Sequence, residues 1–243
     1  MSKTKKILLI LLIIFLFILA GIVILMYSFT QGMKGDADEV KKVRVQAEQY
    51  LERKFKNETK IYDVLYDNMG NFEEFEYAAK VREAKSGTDF LVYSNVHTGK
   101  MADSFISAKW RDDSEKELKP YFEDKLGNLK LSKEMKKITD SNNYDEIKAK
   151  IGNSNELVVL YEREIGKELN IDPNNPISYK EYDVAPTVLF TIHRKKRDTD
   201  ENDFKEIIHS IKNDDVLKHG ELIVSYISTD GVPLEDDEWR KTF

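Results

Sequence analysis

From Ile7 to Phe29 the chain reads ILLILLIIFLFILAGIVILMYSF, with no charged position, and no comparable apolar run follows it. As an α-helix this stretch is roughly 35 Å long, enough to cross a hydrocarbon core of about 30 Å. Beyond it, apolar and polar positions alternate at the periods of packed helices and half-buried strands.

The run has a basic start (Lys3, Lys5, Lys6) and a polar exit, as a secretory signal does. Its apolar centre is about twice a signal's usual length. Its one small pair, Ala20-Gly21, lies mid-run, with no A-x-A-like site behind it. The pattern therefore predicts an uncleaved signal anchor, with cleavage after Ser28 as the alternative. The lysines place the amino terminus in the cytoplasm and the bulk of the chain outside. Residues 1–6 form a basic tail, 7–29 the transmembrane anchor, and 30–38, with Gly32 and Gly35, a flexible linker.

The first folded unit is expected over 39–127. Val40, Val43, Ala47, Tyr50, Leu51 and Phe55 share one face of a helix. Strands follow at Lys60 to Tyr66, around Phe75 to Arg82, and at Asp89 to Val96. Asp67 to Gly70, Ser86-Gly87 and Thr98-Gly99 supply the turns. A fourth strand would carry Ile106, Ala108 and Trp110, before a helix capped by Ser114 and Glu117, irregular at Pro120 and ended by Gly127. In element order this outline resembles the cystatin-like and NTF2-like architectures. The likeness carries no residue signature and implies no function.

The lysine-rich stretch 128–143 reads as a linker, and 144–243 as a second unit. Its elements would be a short helix at Tyr144 to Ile151, a strand at Leu157 to Glu162 and a loop at Gly166 to Pro176. An edge strand at Ile177 to Val184 and a central one through Val188, Phe190 and Ile192 follow. Phe204, Ile207, Ile208 and Ile211 fit a helix, Leu222 to Ile227 a last strand, and Ser228 to Phe243 a polar tail. The expected class is α+β, antiparallel sheet plus helices, behind one transmembrane helix.

Composition narrows the function. The chain has 38 basic and 44 acidic residues, for a net charge of -6. The basic tail takes three of the lysines, so the rest is more acidic still. That balance argues against a nucleic-acid partner, which needs a basic face. With no cysteine there is no disulfide, thiol catalysis or thiolate metal site. Twelve Tyr and twelve Phe supply core, and the Lys, Asn, Ile and Glu bias fits a low-GC bacterium.

No motif implies a cofactor or metal. Asp198, Asp200 and Asn202 match the first liganding positions of a calcium loop, but its required Gly and Glu are replaced by Asp203 and His209. Those acids instead suit the start of a helix, where Thr199 or Asp200 would cap. The four histidines, His97, His193, His209 and His219, form no ligand pair, and no serine sits in a nucleophile motif. Arg194, Lys195, Lys196 and Arg197 could meet an anionic partner, or be a solvated loop balanced by the acids that follow.

The aromatic residues give the strongest lead. Phe90 and Tyr93 would point to opposite faces of one strand, so one of them lies away from a single helix layer. With Phe105 and Trp110 they define a candidate binding face. The sequence thus describes a single-pass, extracytoplasmic binding or accessory protein of a bacterial cell envelope, held in the bilayer through Ile7 to Phe29 and partnered by another envelope protein. It does not describe an enzyme. The alternatives are a cell-wall hydrolase using a carboxylate pair and a homotypic structural module.

Overall fold

A computed structural model describes residues 35–139, 154–228 and 238–243, and positions 19, 21, 22, 25 and 26 of the apolar run. The predicted anchor and the helix expected at Tyr144 to Ile151 therefore lie wholly or largely outside the described residues. Among the described residues, no helix is long and apolar enough to cross a membrane. The fold is α+β, with two sheets and, among those residues, five helices.

The first helix, α1, spans Ala37–Lys54. Asp36 caps it by accepting from the Asp38 and Glu39 amides at 2.8 and 3.2 Å. Asp38 and Glu39 meet its positive end, and Arg53 and Lys54 its negative end. Four strands follow as a meander: β1 (Thr59–Tyr66), β2 (Tyr77–Glu83), β3 (Asp89–Ser94) and β4 (Met101–Asp103), all antiparallel and in that spatial order. Val43, Ala47 and Leu51 of α1 join the core that holds Ala79, Val81, Phe90 and Val92. The opposite face holds a smaller cluster of Phe75, Ala78, Tyr93 and Ala102. The sheet is thus buried on both sides, and Phe75 precedes β2 on the side away from α1.

The expected fourth strand through Ile106, Ala108 and Trp110 is instead the start of a long helix, α2, at Phe105–Leu126. Ser114 and Glu117 lie in its middle, and Ser114 Oγ donates back to the Trp110 carbonyl at 2.7 Å. Pro120 does not break it. Lys116, whose carbonyl loses its donor, is exposed, as is Pro120, so water can replace the missing bond. Gly127 ends the helix at φ 83°.

Inside the stretch expected to be a linker, Leu129–Leu131 is a strand, β5, and Ser132–Thr139 a helix, α3. The second sheet continues with β6 (Asn155–Leu160), β7 (Thr187–Ile192), β8 (Glu221–Tyr226) and β9 (Trp239–Thr242), in spatial order β5 to β9. β5 runs parallel to β6 and β7 parallel to β8, while the pairs β6–β7 and β8–β9 are antiparallel. Helix α5 (Asp200–Asn213) is the β7–β8 crossover and buries Phe204, Ile207, Ile208 and Ile211. A short helix, α4, occupies Ile165–Glu168 at the start of the expected loop.

Two further expectations are corrected. The edge strand at Ile177 to Val184 is a 3₁₀ turn, Tyr179–Glu181. Trp110 Nε1 donates to the Ile177 carbonyl at 2.8 Å, so this backbone bonds a side chain and not a strand. The polar tail ends in β9, where Trp239 meets Phe204 with ring centroids 5.0 Å apart.

Helix α2 links the two halves: it touches β3 of the first sheet, and β5, β6, α4 and α5 beyond it. One continuous core runs from Val43 of α1 to Tyr226 of β8.

Candidate functional site

On the face of the first sheet that turns away from α1 lies a cleft of about 560 Å³. Lys80 of β2, Leu91 of β3 and Tyr62 of β1 form its floor, and α2 and α3 form one wall. The chain leaving β6, Val159 to Arg163, closes one end.

Tyr62 owes its place to an irregularity. The β1–β2 register shifts between Ile61 and Asp63, which leaves Tyr62 as the extra residue; such bulges re-aim a side chain. Its ring lies 5.6 Å from the Arg82 guanidinium and 5.4 Å from Lys136 Nζ, which also donates to its hydroxyl at 2.8 Å. Asp89 bridges the same two cations, accepting from Arg82 at 2.7 and 2.9 Å and from Lys136 at 3.0 Å. Burial alone would raise the Asp89 pKa; the bonds from Arg82 and Lys136 outweigh it and hold the carboxyl below its ordinary value.

At the other end, Arg163 stacks over Phe72 and Phe75, at 4.7 and 5.4 Å, and pairs with Glu74. Ser107 Oγ donates to the Arg163 carbonyl at 3.3 Å, tying this corner to α2. In the middle, Asp112 lies 3.5 Å from Arg111 and 3.6 Å from Lys133, the long limit for such contacts. Lys133 also donates to the Gly87 carbonyl at 2.6 Å. Arg111 Nε is buried with no hydrogen-bond partner. Behind the wall, the buried Glu115 accepts from Ser132 N at 3.2 Å, Ser132 Oγ at 2.7 Å and Val159 N at 3.3 Å. It pins the start of α3 and the exit of β6 to α2.

The cleft thus gathers Lys80, Arg111, Lys133, Lys136 and Arg163 against Glu74, Asp89, Asp112 and Glu162. Three of its four acids already pair with cations, which suits electrostatic recognition better than proton transfer. Its least satisfied polar group, the Arg111 guanidinium, can only donate. The buried Tyr161 hydroxyl also has no partner. Ser114 is near enough to influence it electrostatically, yet gives its own proton to Trp110, and no hydrogen bond joins the two hydroxyls.

The residues singled out in the sequence lie elsewhere. Phe90 and Tyr93 do face opposite sides of β3, but neither is exposed. Phe90 stacks on Phe55 and meets Phe105 edge-on, at 5.3 and 5.2 Å. Tyr93 is covered by Phe75 and donates to Glu164 at 3.2 Å. Phe105 and Trp110 are buried in α2. The four rings are core, and the cleft borrows only an edge of Phe90.

The basic cluster is divided as well. Arg194 is taken up by Asp200 and Lys196 pairs with Glu201, while Lys195 and Arg197 are exposed. Asp200 is buried at the start of α5, away from the exposed Asp198 and Asn202, so the calcium-loop acids do not converge. Among the described residues no three His or acidic groups are placed to hold a metal ion. His193, His209 and His219 meet Glu156, Asn213 and Asp183 respectively.

Comparison with protein-family models, curated proteins and solved structures finds no match to this chain.

Proposed function

We propose that this chain is a membrane-tethered binding protein of a cell envelope, and that its cleft takes an acidic segment of a partner protein. The observation that carries the reading is the partly exposed Arg111 guanidinium, which reaches Asp112 only at 3.5 Å, beside Lys133 in the wall of a cleft with room for several residues of peptide. Five cations face four acids in this recess, in a chain with a net charge of -6. The apolar run Ile7 to Phe29 supplies the tether, and its flanking lysines put the cleft outside the cytoplasm. In outline the first unit is cystatin-like, one helix followed by a four-stranded meander, with the cleft on the face that the helix leaves open.

A carboxylate-dependent hydrolase is supported less well. It needs one acid held protonated, whereas cations surround Asp89, Glu74 and Asp112.

The test is calorimetric titration of the full chain, in detergent, with a short glutamate-rich peptide and with a lysine-rich peptide of equal length. Saturable binding of the acidic peptide alone, abolished in Arg111→Ala/Lys133→Ala, is expected. Equal binding of both peptides, or no binding of either, would overturn the acidic-ligand reading.

A further inference from the structure

Two connections of the meander lie at one end of the sheet. β1 ends and β2 begins at Tyr66 and Tyr77, which are paired in register. β3 ends and β4 begins at the paired Ser94 and Met101, at this same end of the sheet. Here too the chain arrives from the apolar run. The Asp36 amide donates to the Tyr77 hydroxyl at 3.0 Å, and the Tyr66 and Tyr77 rings stack at 4.7 Å. Gly35 lies so close that a Cβ would stand 2.8 Å from the Tyr77 ring and 3.1 Å from Tyr66 Cβ. From Phe29 to this docked glycine there are six backbone steps, a reach of roughly 21 Å at full extension.

The two connections at this end project apolar tips. Met69, in the β1–β2 connection, is 79% exposed, and Val96, in the β3–β4 turn, is 60% exposed. Beyond the apolar run they are the two most exposed of the described large hydrophobic residues. The connections are joined, the Val96 amide donating to the Glu74 carbonyl at 2.8 Å. Gly70 and Gly99, at φ 68° and 65°, shape the turns. Charge is withdrawn from the first tip, because Asp67 folds inward to accept from the Phe72 amide at 2.7 Å. Asn68, Met69 and Gly70 are left uncharged, and so are Val96, Thr98 and Gly99, with exposed His97 and Lys100 beside them.

We infer that this end of the domain rests on the lipid surface, with Met69 and Val96 entering the interfacial layer as a second contact beside the anchor. The inference depends on the anchor reading of Ile7 to Phe29. Two apolar side chains would not bring a free domain to a bilayer. A tether this short makes the contact intramolecular, at an effective concentration on the order of millimolar. Exposed Glu73 and Glu76 outweigh the exposed Lys100 at the same end, so the contact is apolar in character, with no dependence on anionic headgroups. In this pose the Arg163 end of the cleft lies near the lipid, and the Tyr62 and Lys136 end points away.

A chain without cysteine allows unique labels. Single variants Met69→Cys, Val96→Cys, Lys85→Cys (opposite end of the sheet) and Ile22→Cys (anchor) of the full chain would carry a bimane fluorophore. They would be reconstituted in phosphatidylcholine vesicles containing a lipid with a shallow nitroxide. Loss of emission at positions 69 and 96 but not at 85, unchanged when phosphatidylglycerol is added, is expected. Retention at 69 and 96 while position 22 is quenched would overturn the inference and leave the anchor standing. Quenching only with phosphatidylglycerol would overturn it in favour of charge attraction. Emission retained at position 22, with no sedimentation alongside vesicles, would defeat the anchor reading and this inference together.

Discussion

Arg194 grips Asp200 through two parallel hydrogen bonds of 2.7 Å each, and the carboxylate so held has no exposed surface. The Arg197 amide and the Tyr226 hydroxyl complete its shell, at 2.9 and 2.8 Å. The group joins the β7 exit, the first turn of α5 and β8. Burial alone would raise the Asp200 pKa, but these bonds prevail and hold it below the ordinary carboxylate value. Its stabilising effect is therefore complete above the unfolded value of about 3.9 and is lost as pH falls through the folded one. Asp200→Asn should cost about 3 kcal/mol at neutral pH, since it leaves the guanidinium without its charge partner. Urea denaturation should show the gap between the two proteins closing below about pH 4.

Glu115 predicts the opposite slope. Burial raises its pKa, and the bonds from Ser132 and Val159 only partly offset this. Folding then favours the protonated acid, so its contribution is greatest below the unfolded value of about 4.3 and declines as pH rises through the folded one. Glu115→Gln keeps the shape without the charge. The stability of wild type relative to this variant should fall as pH rises above about 4.3, as followed by denaturation across a pH series.

Gly166 packs α4 against α2. A Cβ there would stand 2.6 Å from Ile106 Cγ1 and 2.8 Å from Ile106 Cβ. Gly166→Ala should destabilise by about 1–3 kcal/mol through overpacking. Adding Ile106→Ala should make the pair non-additive, with part of the clash relieved, and a double-mutant cycle reads this directly.

Phe90 separates a core role from a ligand role. It closes a triangle with Phe55 and Phe105, all ring centroids 5.2–5.3 Å apart. Phe90→Ala should cost about 3–5 kcal/mol, measured by thermal or chemical unfolding. Phe90→Leu should retain most of the stability, and any loss of peptide binding should then follow from the edge of the ring that lines the cleft.

Much of the fold was legible because its signals are local. The α1 face, the turns at Gly70, Gly87 and Gly99, the β7 alternation and the α5 stripe all appear where their spacing places them. Helix α2 was misread for a physical reason. Packed against β3, the second sheet and two helices, it buries Ile106, Ala108 and Trp110 together with the polar Ser107, Asp112, Ser114 and Glu115. A helix buried on most sides loses its one-faced pattern, and alternate apolar positions then imitate a strand. The cleft was hidden for a related reason. Arg111 and Lys133 meet over Asp112 only after the chain turns back at Gly127, and Lys133 and Lys136 sat in what read as a linker. Tyr62 joins them through a bulge that no residue type announces.

The core that runs through helix α2 also ties the two halves of the fold together. If the second sheet peeled away, it would uncover Trp110 and Phe122, both almost completely buried. A half-open molecule with a bare aromatic helix would be drawn onto its neighbours. With the core continuous through this helix, the described fold should open as a whole, with no half-open species populated.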